Sequence, residues 1–342
     1  MKNLVDKLEK SQILSHSEIK TLLNSKDNYL HQRARHVAKT IYGNKIFARG
    51  LIEVTNYCKQ DCYYCGLRRS NNHVQRYRLS EAQILDCCKT GYNLGFRTFV
   101  MQGGEDGHYT DNTMAALITK IKSQYPDCAI TLSIGERSRE SYKRLYEAGA
   151  DRYLLRHETA NNAHYSQLHP SEMSLSSRKE CLQNLKEIGY QVGCGFMVGS
   201  PGQTLDHIAD DLLFIQEINP AMVGVGPFVP HSSTPFANRQ AGDLWLTLNI
   251  LAILRLMKPN FLLPATTALG SIHAKGREHA VLAGANVIMP NLSPTDARQK
   301  YLLYDNKIST DGETAANFSN IKQSMKEIGY EIISARGDYL EI

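Results

Sequence analysis

Short apolar or β-branched runs recur through the middle of the chain, each closed by a turn signal and followed by apolar positions at helical spacing. Eight of them predict strands: Leu51 to Thr55, Thr98 to Gln102, Ala129 to Ile134, Arg152 to Arg156, Gln191 to Val198, Met222 to Gly226, Leu262 to Ala268 and Ala285 to Pro290. The intervening helices carry their own start signals. Ser80 with Gln83 reads as a capping box, after which Ile84, Leu85, Cys88 and Tyr92 share a face before Gly95. Thr204 opens another helix with Leu205, Ile208, Leu212 and Ile215 turned inward. Alternation of strand and helix over about 240 residues predicts a (β/α)8 TIM-type barrel, close to the roughly 250 residues such barrels occupy. An open doubly wound sheet is the alternative, but its first strand would more often be followed by a glycine-rich phosphate turn. Here that position holds cysteines. Residues 1–50 are expected to form an N-terminal helical extension, 51–308 the barrel, and 309–342 a polar tail packed on it.

Composition narrows the class. Among 342 residues, 42% are hydrophobic and 21% charged, an ordinary globular balance that excludes disordered, collagen-like and coiled-coil chains. The net charge of +5 is spread along the chain without a basic block, which gives no reason to expect nucleic acid. No run of 18 apolar residues occurs, and Lys2, Asp6, Lys7, Glu9 and Lys10 interrupt the N-terminus where a secretory signal would be apolar. A cytoplasmic protein without membrane contact is expected. Eight cysteines, none after Cys194, suggest metal or redox chemistry in such a compartment instead of disulfides.

The chemistry concentrates directly after the first predicted strand, in Cys58-Lys59-Gln60-Asp61-Cys62-Tyr63-Tyr64-Cys65. A CxxxCxxC loop at the C-terminal end of a barrel strand stands on the face where such folds place their sites. Three thiolates can hold three irons of a cubane 4Fe-4S cluster and leave the fourth iron open as a reaction site. The alternatives are zinc, which would need a distant fourth ligand and more often uses CxxC pairs, and plain packing, which the polar Lys59, Gln60 and Asp61 disfavour. Cys87, Cys88, Cys128, Cys181 and Cys194 fall on helix faces or in strands, where free cysteine acts as a small apolar residue.

With an aromatic residue, Tyr64, before its last cysteine, this motif resembles the radical S-adenosylmethionine (SAM) superfamily. The resemblance implies that the open iron chelates the amino and carboxylate groups of SAM, and that electron transfer into the sulfonium releases a 5'-deoxyadenosyl radical. Met101-Gln102-Gly103-Gly104-Glu105-Asp106, at the end of the second predicted strand, is similar to the superfamily's GGE motif, whose backbone accepts hydrogen bonds from the SAM ammonium. A Gly-Gly pair lets a backbone come that close, and is also common in βα turns for steric reasons alone.

Further stretches narrow the likeness: Ile52 to Asn56, Gly66 to Asn71, Gln75 to Arg78, Asp151 to Asn161, Phe196 to Thr204, Gly226 to His231, Pro264 to Ala268 and Val287 to Asn291 resemble the FeFe-hydrogenase maturase HydE family, from about Leu51 to Lys307. The resemblance implies that Tyr64, Gln102, Gly103, Gly104, Glu105 and Met197 surround SAM, that Glu158 and Arg178 hold it, and that Gly199 to Gly202 lie beside its adenine. Arg178 would pair the methionine carboxylate as a bidentate guanidinium can. On residue type alone, Arg178 near a helix start fits a surface charge and Glu158 a helix cap.

A second set belongs to the barrel interior: Thr131, Arg152, Arg156, Met222, Thr266, Thr267, Met289 and Tyr301. Arg152 and Arg156 are four apart and share a strand face. Charges there are costly unless an anion pairs with them. The family reading supplies an anionic substrate; pairing with Glu53 or Glu136 is the alternative. The substrate implied by the resemblance is a small cysteine-bound iron carbonyl cyanide precursor of the diiron subcluster of the FeFe-hydrogenase H-cluster. The implied partners are sister maturases, a tyrosine-lyase radical SAM enzyme and a scaffold GTPase, with a ferredoxin or flavodoxin as electron donor. Many members of the family hold an accessory cluster on three C-terminal cysteines; the segment 307–314 contains none, so one cluster is expected. Rival readings are a methylornithine synthase-like mutase acting on lysine, which would need a further carboxylate for the ammonium, a biotin-synthase-like sulfur insertion, for which further barrel cysteines are not evident, and a non-catalytic iron-sulfur carrier.

Overall fold

The computed structural model describes residues 1–308 and 317–341. Its strands are β1 (Lys45–Ala48), β2 (Gly50–Thr55), β3 (Thr98–Gly103), β4 (Ala129–Ser133), β5 (Arg152–Leu154), β6 (Gln191–Val198), β7 (Met222–Pro227), β8 (Val287–Ile288) and β9 (Glu331–Ile333). Three helices precede them: α1 (Lys2–Ser11), α2 (His16–Leu23) and α3 (Tyr29–Tyr42). The crossovers are α4 (Glu81–Asn93), α5 (Asp111–Gln124), α6 (Arg139–Glu147), α7 (Asn162–Leu168), α8 (Leu175–Ile188), α9 (Leu205–Ile218), α10 (Leu244–Met257), α11 (Thr267–Ile272) and α12 (Gly276–Leu282); α13 (Thr295–Lys300) and α14 (Phe318–Glu327) follow. The expected capping boxes are present at Ser80/Gln83 of α4 and at Thr204 of α9.

Strands β2 to β7 pair in sequence order and in parallel, so each crossover is a βαβ unit. Isolated parallel bridges close the circuit, from Met222 to Leu262, from Pro264 to Val287 and from Asn291 back to Leu51. The result is the expected barrel, with two corrections. The predicted strand Leu262 to Ala268 is reduced to bridges: Pro264 has no N–H for the ladder, and Thr266 already caps α11. The predicted strand Ala285 to Pro290 shortens to β8, which pairs with β1.

Helix α10 is buried on all sides from Thr247 to Met257, as an all-round apolar helix must be. It lies between the barrel and the N-terminal extension, joined to the latter by His31 to Asn249 at 2.8 Å and by the Trp245 indole N–H to the Ser25 carbonyl at 2.7 Å. The extension is not separate from the barrel, because β1 within it already pairs with β8 and β9. Beyond β9 the chain crosses under the N-terminal ends of the strands. Thr98 donates to the Arg336 carbonyl at 2.8 Å, and Arg49 to the Gly337 carbonyl at 3.3 Å. Of the expected tail 309–342, residues 336 and 337 thus touch the barrel strands, while 309–316 and 342 lie outside the described residues.

Candidate active site

The cysteine loop follows β2, at the C-terminal end of the barrel, and side chains give it the order that it lacks in backbone ladders. Arg76 donates to the carbonyls of Asn56, Leu67, Arg68 and Asn71, at 2.5, 2.9, 2.7 and 3.2 Å. The Asp61 carboxylate accepts from the Arg68 guanidinium at 2.6 and 2.9 Å and from the Ser70 N–H at 2.9 Å. Gly104 packs under the loop: a Cβ there would stand 2.2 Å from the Tyr57 carbonyl oxygen and 2.7 Å from the Cys58 Cβ, so only glycine allows the approach.

The three sulfurs suit a cluster. Cys58 Sγ accepts from the Glu105 N–H at 3.4 Å, Cys62 Sγ faces the Met173 sulfur at 3.8 Å, and Cys65 lines the cavity described below. Burial pushes the Cys65 thiol up to about 12, and raises Cys58 and Cys62 as well, Cys62 with further help from its two sulfur neighbours. Iron must therefore displace protons to bind. Among the described residues, no three His, Cys, Asp or Glu side chains are grouped around a single ion; thiols are the soft ligands that iron-sulfur clusters take. The other five cysteines are buried, as expected of packing residues.

A cavity of about 290 Å³ opens beside Cys65 over the C-terminal ends of the strands. Tyr64, Gln102, Gly103, Arg156, Glu158, Arg178, Met197, Thr266 and Tyr301, all singled out from the sequence, line it. Several buried polar atoms on its wall have no hydrogen-bond partner: Arg156 Nε and Nη2, Glu158 Oε2 and Thr266 Oγ1. Buried polar atoms are normally satisfied, so this concentration marks a ligand-sized polar demand. Arg156 Nη2 and Glu158 Oε2 stand 3.1 Å apart. Glu158 also has φ +65°, a left-handed backbone that costs a side-chain-bearing residue on the order of 1–2 kcal/mol and persists where its surroundings over-determine it.

The wall is stiff. Arg178 is buried, not the surface charge its residue type allowed, and its Nε meets Glu136 Oε1 at 2.5 Å while Nη1 donates to the Arg156 carbonyl at 2.7 Å. The Tyr64 hydroxyl meets His169 Nε2 at 3.1 Å, and Gln102 donates to the Tyr301 hydroxyl at 3.3 Å. Tyr64 packs on Leu168, Met197 and Phe228, an apolar patch that suits a flat ring.

Other expected residues sit outside the cavity lining. Glu105 turns away: Oε2 accepts from Gln60 at 2.8 Å and Oε1 from the Glu136 N–H at 3.0 Å, tying the cysteine loop to the end of β4. Arg152 and Arg156 do share a face, with Leu154 between them, but Arg152 lies a layer lower. It donates to Thr98 Oγ1 at 3.0 Å and pairs with Asp338 of the tail. Neither carboxylate considered from the sequence is its partner, since Glu136 holds Arg178 and Glu53 holds Lys307. Thr131 is in register with Arg152, and its Oγ1 is also unpartnered. Met222 and Met289 belong to an apolar cluster with Leu262, and Met222 Sδ accepts from Arg49 at 2.9 Å. Thr267 opens α11 behind Thr266. The sequence reading missed Ser133, which lines the cavity and which the period-2 alternation from Thr131 would have found. It also missed Leu303 and Tyr304, which line the cavity from a segment without periodicity.

Comparison with known proteins agrees with this geometry. Residues 52–215 match the model of the radical SAM superfamily. Over 311 residues the chain is 43% identical to the FeFe hydrogenase maturase subunit HydE of Thermotoga maritima, covering 90% of this chain and 88% of that one. The chain belongs to the HydE family of FeFe-hydrogenase maturases within the radical SAM superfamily. It is a radical SAM enzyme, and membership implies a 4Fe-4S cluster and SAM. A 3-methylornithine synthase of Methanosarcina acetivorans is 29% identical over 83% of this chain and 81% of its own. The crystal structure of methylornithine synthase (PylB) superposes with a TM-score of 0.84 at 26% identity, over 96% of this chain and 97% of that one. Among the described residues, no helix is long and apolar enough to cross a membrane.

Proposed function

We propose that the protein binds one 4Fe-4S cluster through Cys58, Cys62 and Cys65 and uses SAM to activate a small cysteine-bound iron carbonyl cyanide substrate during assembly of the H-cluster diiron subcluster. The observation that carries this is the meeting of Cys65, Tyr64, Glu158 and Arg178 on one cavity in a chain 43% identical to a HydE. Bound cluster and SAM together supply a 5'-deoxyadenosyl radical by reductive cleavage of the sulfonium.

The protein's own residues orient and enclose. Arg178, fixed by Glu136, offers its guanidinium to the methionine carboxylate. Glu158 accepts from hydroxyls, and the Gln102 and Gly103 backbone from the ammonium. The patch of Tyr64 and Met197 takes the adenine. Arg156, whose Nε has no partner and whose Nη2 stands against Glu158, faces an anionic substrate, while Tyr301, Leu303 and Tyr304 wall the cavity and keep water from the reacting atoms. Sister maturases would deliver the substrate and accept the product, and a ferredoxin or flavodoxin would supply the electron.

The test is anaerobic reconstitution followed by reduction with SAM. Release of 5'-deoxyadenosine that is stimulated by the iron carbonyl cyanide complex supports the proposal. Release stimulated by lysine instead would favour the methylornithine-synthase reading, which the PylB superposition keeps in view. A loaded cluster with no SAM cleavage would mean a carrier.

A further inference from the structure

We infer that His157 and Asp211 act as a buried positioning pair that fixes the direction in which Glu158 presents its carboxylate to the cavity. The inference rests on the reading of Glu158 as a SAM contact and adds residues that touch neither cofactor nor substrate. His157 is wholly buried in an apolar wedge, its ring 5.0 Å from Phe214 and 5.8 Å from Phe196. Its Nδ1 accepts the Gly195 N–H at 3.3 Å, which puts the ring proton on Nε2. Nε2 faces Asp211 Oδ1 at 3.4 Å without a hydrogen bond to it or to any other polar atom, so the two side chains meet by close approach alone. Asp211 comes from α9, is also wholly buried, and the same Oδ1 accepts the Ala160 N–H at 2.5 Å.

Together these contacts pin both sides of a strained residue. Gly195 donates to His157 and accepts from the Glu158 N–H at 3.1 Å, so β6 grips residues 157 and 158 at two points. That grip requires glycine: a Cβ on Gly195 would lie 2.0 Å from the Gly224 carbonyl. Asp211 holds residue 160 from the opposite side. Glu158, between them, keeps φ +65° because its neighbours on both sides cannot turn. A purely structural role is poorly served by this arrangement, since a buried polar pair adds little stability that an apolar pair would not. What the pair adds is direction, and the side chain it directs faces the cavity.

The test is the affinity of the cluster-loaded protein for SAM, by equilibrium dialysis, alongside iron content and thermal midpoint. Asp211→Leu removes the acceptor for the Ala160 N–H and the carboxylate that faces the His157 ring, and should weaken SAM about tenfold with iron retained. Asp211→Asn keeps an oxygen there and should restore wild-type affinity. Leu212→Ala, next along the same helix and fully buried, is the structural control: it should lower the midpoint at least as much as Asp211→Leu yet leave SAM affinity unchanged. Wild-type affinity in Asp211→Leu, or equal weakening in Leu212→Ala, overturns the positioning role. Wild-type affinity in Glu158→Gln overturns instead the assignment of Glu158 to SAM, and the inference with it.

Discussion

Lys307 reaches back 254 positions along the chain to pair with Glu53, and both side chains are almost completely out of water. Its ammonium also donates to the Tyr301 carbonyl at 2.9 Å, so the pair anchors the segment carrying Tyr301, Leu303 and Tyr304 to the barrel wall. Breaking such a pair leaves one charge buried and alone, which costs about 3–5 kcal/mol. Glu53→Leu and Lys307→Met should each lower the unfolding free energy by that order. The double variant should recover most of the loss, because two apolar side chains replace two charges. Denaturant unfolding of the three proteins forms the cycle, and additive losses would show that the pair is not coupled.

Glu105 belongs to a sequence motif that resembles a cofactor contact, yet its carboxylate ties Gln60 to the Glu136 backbone. Glu105→Leu should therefore loosen the cysteine loop. Iron retained after anaerobic gel filtration should fall severalfold, while Glu105→Gln, which keeps one acceptor, should fall less. Equal iron in all three proteins would return Glu105 to a role at the cofactor.

Local residues made most of this molecule legible. The cysteine loop, the alternation behind six barrel strands and the capping boxes depend on neighbours within a few positions, which is the range that periodicity reports. Partnerships across the chain were not visible. Nothing near Arg152 announces that Asp338 will lie beneath it, and nothing near Glu53 announces Lys307. The seventh strand failed for a local reason that the sequence did contain, since Pro264 interrupts the run.

Burial pushes His164 down to about 4 and His169 to about 3, below the 6.5 expected of an unfolded chain. Between pH 6.5 and about 4 the unfolded state takes up protons that the folded state refuses, so their contribution to stability is full above 6.5 and falls with acidification. The difference in unfolding free energy between wild type and the double variant His164→Gln/His169→Gln should shift against wild type as pH drops from 7.5 to 5.0. Each histidine contributes up to about 1.4 kcal/mol per pH unit in that window. A pH-independent difference would mean that both rings protonate in the folded protein.

Arg152 and Arg156 stand on one face of the barrel with Leu154 between them, but their surroundings assign them different work. Arg152 has a carboxylate partner, Asp338, and a carbonyl partner at Arg336, both on the segment that crosses the strands' N-terminal ends. Arg152→Met removes one of the two guanidinium partners of the partly exposed Asp338, which keeps Arg336 at 2.8 Å, and frees Thr98 Oγ1 and the Arg336 carbonyl, so it should cost about 1–2 kcal/mol of stability. It should also speed proteolytic clipping near Ser334 and leave the KM for the iron substrate unchanged. Arg156 instead makes no hydrogen bond through Nε or Nη2 and pairs only with Glu158, on the cavity wall itself. Arg156→Met should cost about 1–2 kcal/mol of stability, because it leaves the buried Glu158 carboxylate without the cation that stands 3.1 Å from it. The same change should raise the KM for an anionic substrate about tenfold or more, as loss of a charge-assisted contact does. Lysine at 156 should recover only part of that affinity, since a point charge cannot reproduce the guanidinium fork. The reverse in KM, changed by Arg152→Met and unchanged by Arg156→Met, would place the substrate one layer deeper, against the barrel floor.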